Sequence, residues 1–266
     1  MFDFRKLAMA AGMASVLAMG FGAAANAQGV PESDGPAALS PQALAMKRPK
    51  PAFDLTGVWQ QDLKPRNGEK QTFQFGTPYP KFKEAAQKAM ADSKAAAAAG
   101  KAYRDDIGHC YPAGMPMIMT RVWPVGMIQM PTVIYMVHAF MNSFRAVYLD
   151  GRKHTDPDIL PNTYNGESVA HWEGKTLVID TIGFETSHHW IDSGIPISEK
   201  LHMVEKVTML DKDTLQWTYI MTDPENWEGD WVSTKIFTRR NMDIPEVECT
   251  PDLNQHITAT QANQVR

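Results

Sequence analysis

From Thr132 to Arg239 apolar and polar positions alternate with a period of two, interrupted by short polar turns. Thr132–Phe140 is nearly all β-formers, Asn142-Ser143 is a turn, and the next strand, Arg145–Leu149, ends at Asp150-Gly151. Ser168–Trp172 and Thr176–Thr181 flank Glu173-Gly174-Lys175, and Lys200–Leu210 and Thr214–Met221 flank Asp211-Lys212-Asp213, which predicts two hairpins. Trp231–Arg239 is a further strand, and upstream Phe53–Gln60 and Met127–Gln129 read the same way. One stretch breaks the pattern. Pro80–Ala99 is rich in Ala, Lys, Glu and Gln, with Pro80 suited to a first turn and Gly100 to the end, which predicts a helix. Its thin apolar face places it outside the β-structure. Short strands without βαβ alternation predict a mainly β chain, an antiparallel meander closing as a barrel; a two-sheet sandwich is the alternative.

Strand parity sorts the ionisable residues. Leu201, Met203, Glu205 and Val207 share one face, and His202, Val204 and Lys206 the other. Glu205 therefore lies on an apolar face, where a carboxylate must be paired, protonated or functional. Asp180 shares a face with Val178, opposite Leu177, Ile179 and Thr181, and is expected to be structural, paired with an arginine such as Arg145 or Arg121. His171 falls with Val169, and His138 with Ile134, Met136 and Phe140.

The N-terminus and the cysteines set the compartment. Arg5 and Lys6, an apolar run from Leu7 to Ala25 and the small-residue site Ala25-Asn26-Ala27 read as a signal peptide over 1–27, so a periplasmic protein is expected. An uncleaved anchor is the alternative, and no later apolar run is long enough to span a bilayer. Residues 28–52 read as a flexible Pro/Ala/Ser leader, 53–250 as one β-barrel domain and 251–266 as a polar tail. A net charge of −4 without a basic patch gives no support to nucleic-acid binding. Cys110 and Cys249 are expected to form one long-range disulfide in an oxidising compartment; two free thiols are the alternative.

Several arrangements of chemistry are absent or weak. The sequence has no nucleophile elbow, phosphate loop or dinucleotide fingerprint, and no metal-ligand spacing such as HExxH or CxxC. No cofactor and no metal site is expected. Met115, Met117 and Met119 on alternate strand positions would suit Cu(I), a weaker copper-handling alternative, but pliable pocket filling is the favoured explanation of these methionines.

Gly57-x-Trp59 resembles the opening motif of lipocalin-like barrels. The resemblance implies that Trp59 plugs the closed end against a basic residue of the last strand, Arg239 or Arg240. More widely, the chain resembles a poorly characterised family of secreted bacterial proteins with lipocalin-like organisation. Asp54-Leu55-Thr56-Gly57-Val58-Trp59, Cys110-x-Pro112-x-Gly114-x-Pro116, Tyr148-x-Asp150-Gly151-Arg152-x-His154, and His171-Trp172-Glu173-Gly174-x-Thr176-Leu177-Val178-x-Asp180-Thr181 carry the likeness. It continues through Gly183-Phe184, Trp190-x-Asp192, Ser198-Glu199-x-x-His202-x-x-Glu205 and Glu248-Cys249. The chain departs from the family pattern at Val169-Ala170, where a small residue and Gly are common, and at Ile195, where His is frequent.

The functional expectation is a barrel that binds a hydrophobic small molecule, aromatic or terpenoid in character. Glu205, His171 and His202 are the candidate acid/base residues for cofactor-free lyase, isomerase or hydratase chemistry, and Arg145 would orient a polar substituent. Trp123, Tyr135, Met117, Met119 and Trp217 are the candidate wall. The alternative is a passive carrier of an apolar ligand.

Overall fold

The computed structural model describes residues 35–66, 71–76, 78–99, 107, 110–192, 194–247 and 249. The expected signal peptide and the tail at 251–266 lie outside the described residues. The strands are β1 (Gly57–Gln61), β2 (Lys81–Phe82), β3 (Val125–Gln129), β4 (Val133–His138), β5 (Phe144–Tyr148), β6 (Glu167–Glu173) and β7 (Thr176–Ile182). They continue as β8 (Trp190–Asp192), β9 (Ile195–Pro196), β10 (His202–Asp211), β11 (Thr214–Thr222), β12 (Trp227–Glu228) and β13 (Asp230–Arg240). Nine of them close a barrel in the order β1-β13-β11-β10-β7-β6-β5-β4-β3, and β3 pairs back to β1. The expected barrel is thus the observed one, and both expected hairpins are present, β6–β7 and β10–β11.

One junction departs from the antiparallel expectation. Strand directions around a closed ring can alternate without a break only when the strand number is even. With nine strands one pair must run parallel, and it is β5–β6, through Val147↔Ser168 and Tyr148↔Val169. The long 149–166 connection makes this possible by returning the chain to the end where β5 began, a crossover that a hairpin cannot make.

Cross-strand partners share a face, so the register names the interior. One inward row runs Met136, Arg145 on β4–β5, and another Ala170, Ile179, Glu205, Tyr219, Ser233 on β6–β7–β10–β11–β13. The centre is filled by the chain's own side chains: Ile134, Met136, Ile179, Met203, Trp217 and Tyr219 are each 0% exposed. At about 25 cal/mol per Å2 such burial is the main source of the barrel's stability.

One end is closed as the lipocalin-like motif implies. Trp59 is fully buried, its Nε1 donates to the Leu55 carbonyl at 2.8 Å, and the Arg239 guanidinium lies 4.2 Å over its ring. Gly57 (φ +141°) allows this, since a Cβ there would stand 2.3 Å from Arg239 Nη1. The other end is roofed by residues 71–76, by a 3-10 turn at Met117–Thr120, and by the segment from Phe184 to Leu201, all joined to the same core.

Outside the barrel, α1 (Pro41–Ala45) is capped by Ser40, and the longer α2 (Glu84–Ala98) packs against β9. α2 begins after the expected start at Pro80, because Lys81 and Phe82 are extended and paired with Trp227 and Glu228. The stretch read as a flexible leader is docked from residue 36 onward: Ala38 and Ala43 are buried, and Thr132 Oγ1 donates to the Ala38 carbonyl at 2.5 Å. Apolar contacts of small alanines, invisible to a periodicity test, explain the difference. Cys110 and Cys249 form a disulfide across 139 residues.

Candidate functional site

An ion pair lies in the interior. Arg145 reaches from β5 across β6 and β7 to Glu205 on β10, and both side chains are 0% exposed. Its path is cleared by two small hydroxyl residues at inward positions, Ser168 and Thr181. Arg145 Nε and Nη2 donate to Ser168 Oγ at 3.1 and 3.0 Å, and Nη2 donates to Thr181 Oγ1 at 3.0 Å. Nη1 donates to Glu205 Oε1 at 3.1 Å, and Nη2 donates to Oε2. Trp217 Nε1 donates to Glu205 Oε1 at 3.0 Å. Every guanidinium nitrogen is committed and both carboxylate oxygens accept. Burying two ions is tolerated only when the geometry and the remaining hydrogen bonds offset the loss of water, and this network meets that condition.

Two interior groups beside the pair lack such partners. The Tyr219 hydroxyl and His138 Nε2 are buried and make no hydrogen bond. Burial, then the charge of Glu205, pushes the Tyr219 hydroxyl well above its usual range, so it stays a neutral donor. Burial, then the charge of Arg145, holds His138 down to about 3, so its imidazole is neutral at physiological pH. Orphaned buried polar atoms cost free energy and call for an explanation.

A second polar cluster lies on the outer wall. Asp180 Oδ1 is shared by His154 Nε2 at 3.0 Å and His202 Nε2 at 2.9 Å. His154 Nδ1 meets Glu167 Oε1 at 3.0 Å, and Glu167 also accepts from the Thr155 backbone and hydroxyl, both at 2.7 Å. The cluster clasps the start of the 149–166 connection onto β6 and β7. Partial burial pushes the Asp180 carboxyl up, but the hydrogen bonds and charges of His202 and His154 outweigh it and hold it below its ordinary value. The Asp180 hydrogen bond raises His202 against a smaller effect of burial, aided by the charges of Asp180 and Asp230.

These opposite shifts fix a pH window. His202, raised from 6.5, contributes stability that is fully present below that value and is lost as pH rises through its folded pKa. Asp180, lowered from 3.8, contributes stability that is present above that value and is lost as pH falls through its folded pKa. The pair is therefore worth most near about pH 5. His202→Gln should lower Tm most at that pH and progressively less in alkaline buffer. Its cost stays under about 1 kcal/mol because His202 is 45% exposed and screened. Thermal melts across pH check this, and a Tm loss that grows with rising pH would contradict the assignment.

The expected site residues thus separate. Glu205, Arg145 and Trp217 come together inside the barrel. His202 lies outside with Asp180, as parity required, so the two cannot act on one substrate. His171 is also outside, 62% exposed and paired with Glu173 at 3.1 Å, so as a candidate acid/base residue it does not share the interior with Glu205. Asp180 is bound by histidines, not by Arg145 or Arg121. Trp123 is 44% exposed in the loop before β3, and Tyr135 points outward to stack on Phe144 at 5.1 Å, so neither lines the interior. Met117 and Met119 are buried in the roof, but on a 3-10 turn, which removes the alternate-position argument for a thioether copper site. Among the described residues no group of three or more His, Cys, Asp or Glu is arranged to hold a metal ion. Tyr219 is an interior group to which the sequence alone assigned no role; the available signal is its phase with Trp217 along β11.

No protein-family model and no curated protein matches the chain. Among solved structures, the crystal structure of a mutant of the fluorescent protein UnaG is similar with a TM-score of 0.30 and 9% identity, covering 71% of this chain and 97% of that chain. A likeness of that strength leaves the fold to rest on the strand pairing and the function on the interior groups.

Proposed function

We propose that this protein is a periplasmic carrier that binds a small, mainly apolar molecule inside its barrel through the Tyr219 hydroxyl and His138 Nε2. The observation that carries the reading is the pair of buried polar atoms without partners, set beside an ion pair and among Met and aromatic side chains. A purely structural interior has no need of them, since apolar residues of the same shape avoid the desolvation loss. Carriage is favoured over proton transfer because both Glu205 oxygens already accept hydrogen bonds and neither Tyr219 nor His138 changes charge near neutral pH. The signal-like N-terminus and the disulfide support the periplasmic location.

Native mass spectrometry after exposure to an organic-solvent extract of bacterial cells tests the reading; a retained, unchanged small molecule is the expected result. Tyr219→Phe separates a ligand handle from a core residue. It removes an unpaired hydroxyl, so the free protein should melt no lower, and up to about 1 kcal/mol of stability is gained. Affinity for the retained molecule should fall by about fivefold or more with the lost hydrogen bond. A variant that melts lower and binds equally well would identify Tyr219 as ordinary core.

A further inference from the structure

Tyr219 lies beneath a side chain that belongs to no strand. Residues 71–76 cross the roofed end, and Phe75, 3% exposed, packs edge-on to the Tyr219 ring at 5.2 Å and to Trp231 at 6.1 Å. Tyr219 and Trp231 are both inward-facing, so the Phe75 ring occupies the mouth of the barrel itself. The segment is anchored through its main chain by three inward-facing residues of β13, and Trp231 Nε1 donates to the Gly76 carbonyl at 3.3 Å. Ser233 Oγ donates to the Phe75 carbonyl at 2.6 Å. Lys235 Nζ donates to the Thr72 carbonyl at 2.9 Å and to that of Gln74. These anchors hold carbonyl oxygens, so they do not themselves fix the χ1 angle of Phe75.

We infer that Phe75 is a built-in occupant of the ligand site, and that the molecule replacing it is an uncharged ring compound with an acceptor oxygen for the Tyr219 hydroxyl. The inference rests on the small-molecule reading above and names the ligand class and the side chain that guards the site. A ring follows from what is displaced: edge-on contacts to Tyr219 and Trp231 at these separations are the geometry aromatic partners prefer. An acceptor follows from the neutral phenol, which has a proton to donate and no partner for it. Absence of charge follows from the neighbours. Glu205 is the direct cross-strand neighbour of Tyr219 and repels a second anion, each Arg145 nitrogen already has an acceptor, and Lys235 Nζ, 5.7 Å from the centre of the Phe75 ring, is held by the Thr72 and Gln74 carbonyls. A ligand anion would have to draw one of these cations from its present partners, whereas a carbonyl needs only the Tyr219 proton.

Isothermal titration calorimetry with three matched probes tests it: naphthyl methyl ketone, ethylnaphthalene (no acceptor) and naphthoate (a charged acceptor). The ketone should bind at least about tenfold more tightly than either of the others, the scale of one buried hydrogen bond or one unpaired charge. Phe75→Ala should tighten ketone binding by about tenfold and Phe75→Trp should weaken it comparably, as expected for a side chain that competes with the ligand. Opposite effects from the two variants cannot arise from a general loss of folding. Naphthoate binding as tightly as the ketone, or Phe75→Ala binding no more tightly than wild type, would overturn the inference. If no probe binds although a molecule from the extract is retained, the inference fails and the carrier reading stands. If neither wild type nor Phe75→Ala takes up any probe or extract component, both fail.

Discussion

Arg145→Met should destabilise the protein by about 3–5 kcal/mol, because it leaves the Glu205 carboxylate buried with Trp217 Nε1 as its remaining donor. It also strips Ser168 and Thr181 of the donor that spans them. The loss does not measure the worth of the pair, since most of it is the cost of an uncompensated charge. Arg145→Met combined with Glu205→Leu should therefore recover much of the lost stability, and both melts and urea titrations can read the difference. If the single variant were as stable as wild type, the carboxylate would have a second route to neutrality. If the double variant were no better than the single, the network would be holding the strands in register as well as balancing charge.

Removing the disulfide should cost at least as much. Cys110 and Cys249 close a loop of 139 residues, and in the chain-entropy account a loop of that length is worth about 5 kcal/mol. Cys110→Ser with Cys249→Ser, compared with wild type under oxidising conditions, should show that loss in urea. Under reducing conditions the two proteins should converge, which separates the bond from the side chains themselves. The bond leads from the approach to the Met117–Thr120 turn to the segment beyond β13, so its loss should loosen the roof more than the Trp59 end.

Much of this architecture was legible because a strand writes its orientation in alternate residues. The phase of Leu201–Val207 placed Glu205 inside and His202 outside, and the β10 pairing bears this out. Gly57-x-Trp59 anticipated the plugged end and its arginine. What stayed hidden depended on which strands are neighbours around the ring. Arg145 and Glu205 are 60 residues apart, and their contact requires Ser168 and Thr181 between them; hydroxyl residues at inward positions of otherwise apolar strands were the available clue. Asp180 was assigned an arginine because the 149–166 connection carries no periodicity to say where His154 lands. Phe75 and the Met117–Thr120 turn were opaque for the same reason, since irregular segments report neither face nor register.

The odd strand count has a mechanical consequence. The parallel seam between β5 and β6 holds two register pairs, whereas the antiparallel joins β6–β7 and β10–β11 are far longer. It is the line along which the cylinder would first part under load, with the contiguous meanders β3–β5 and β6–β7 on its two sides. The chain bolts that line from both directions. Arg145 stretches across it inside to Ser168, Thr181 and Glu205, and outside the connection that follows β5 is tied by His154 to Glu167 on β6 and Asp180 on β7. The costly buried charge and the surface histidine are thus the inner and outer rivets of a single joint, and amide exchange across β5 and β6 would report on either of them.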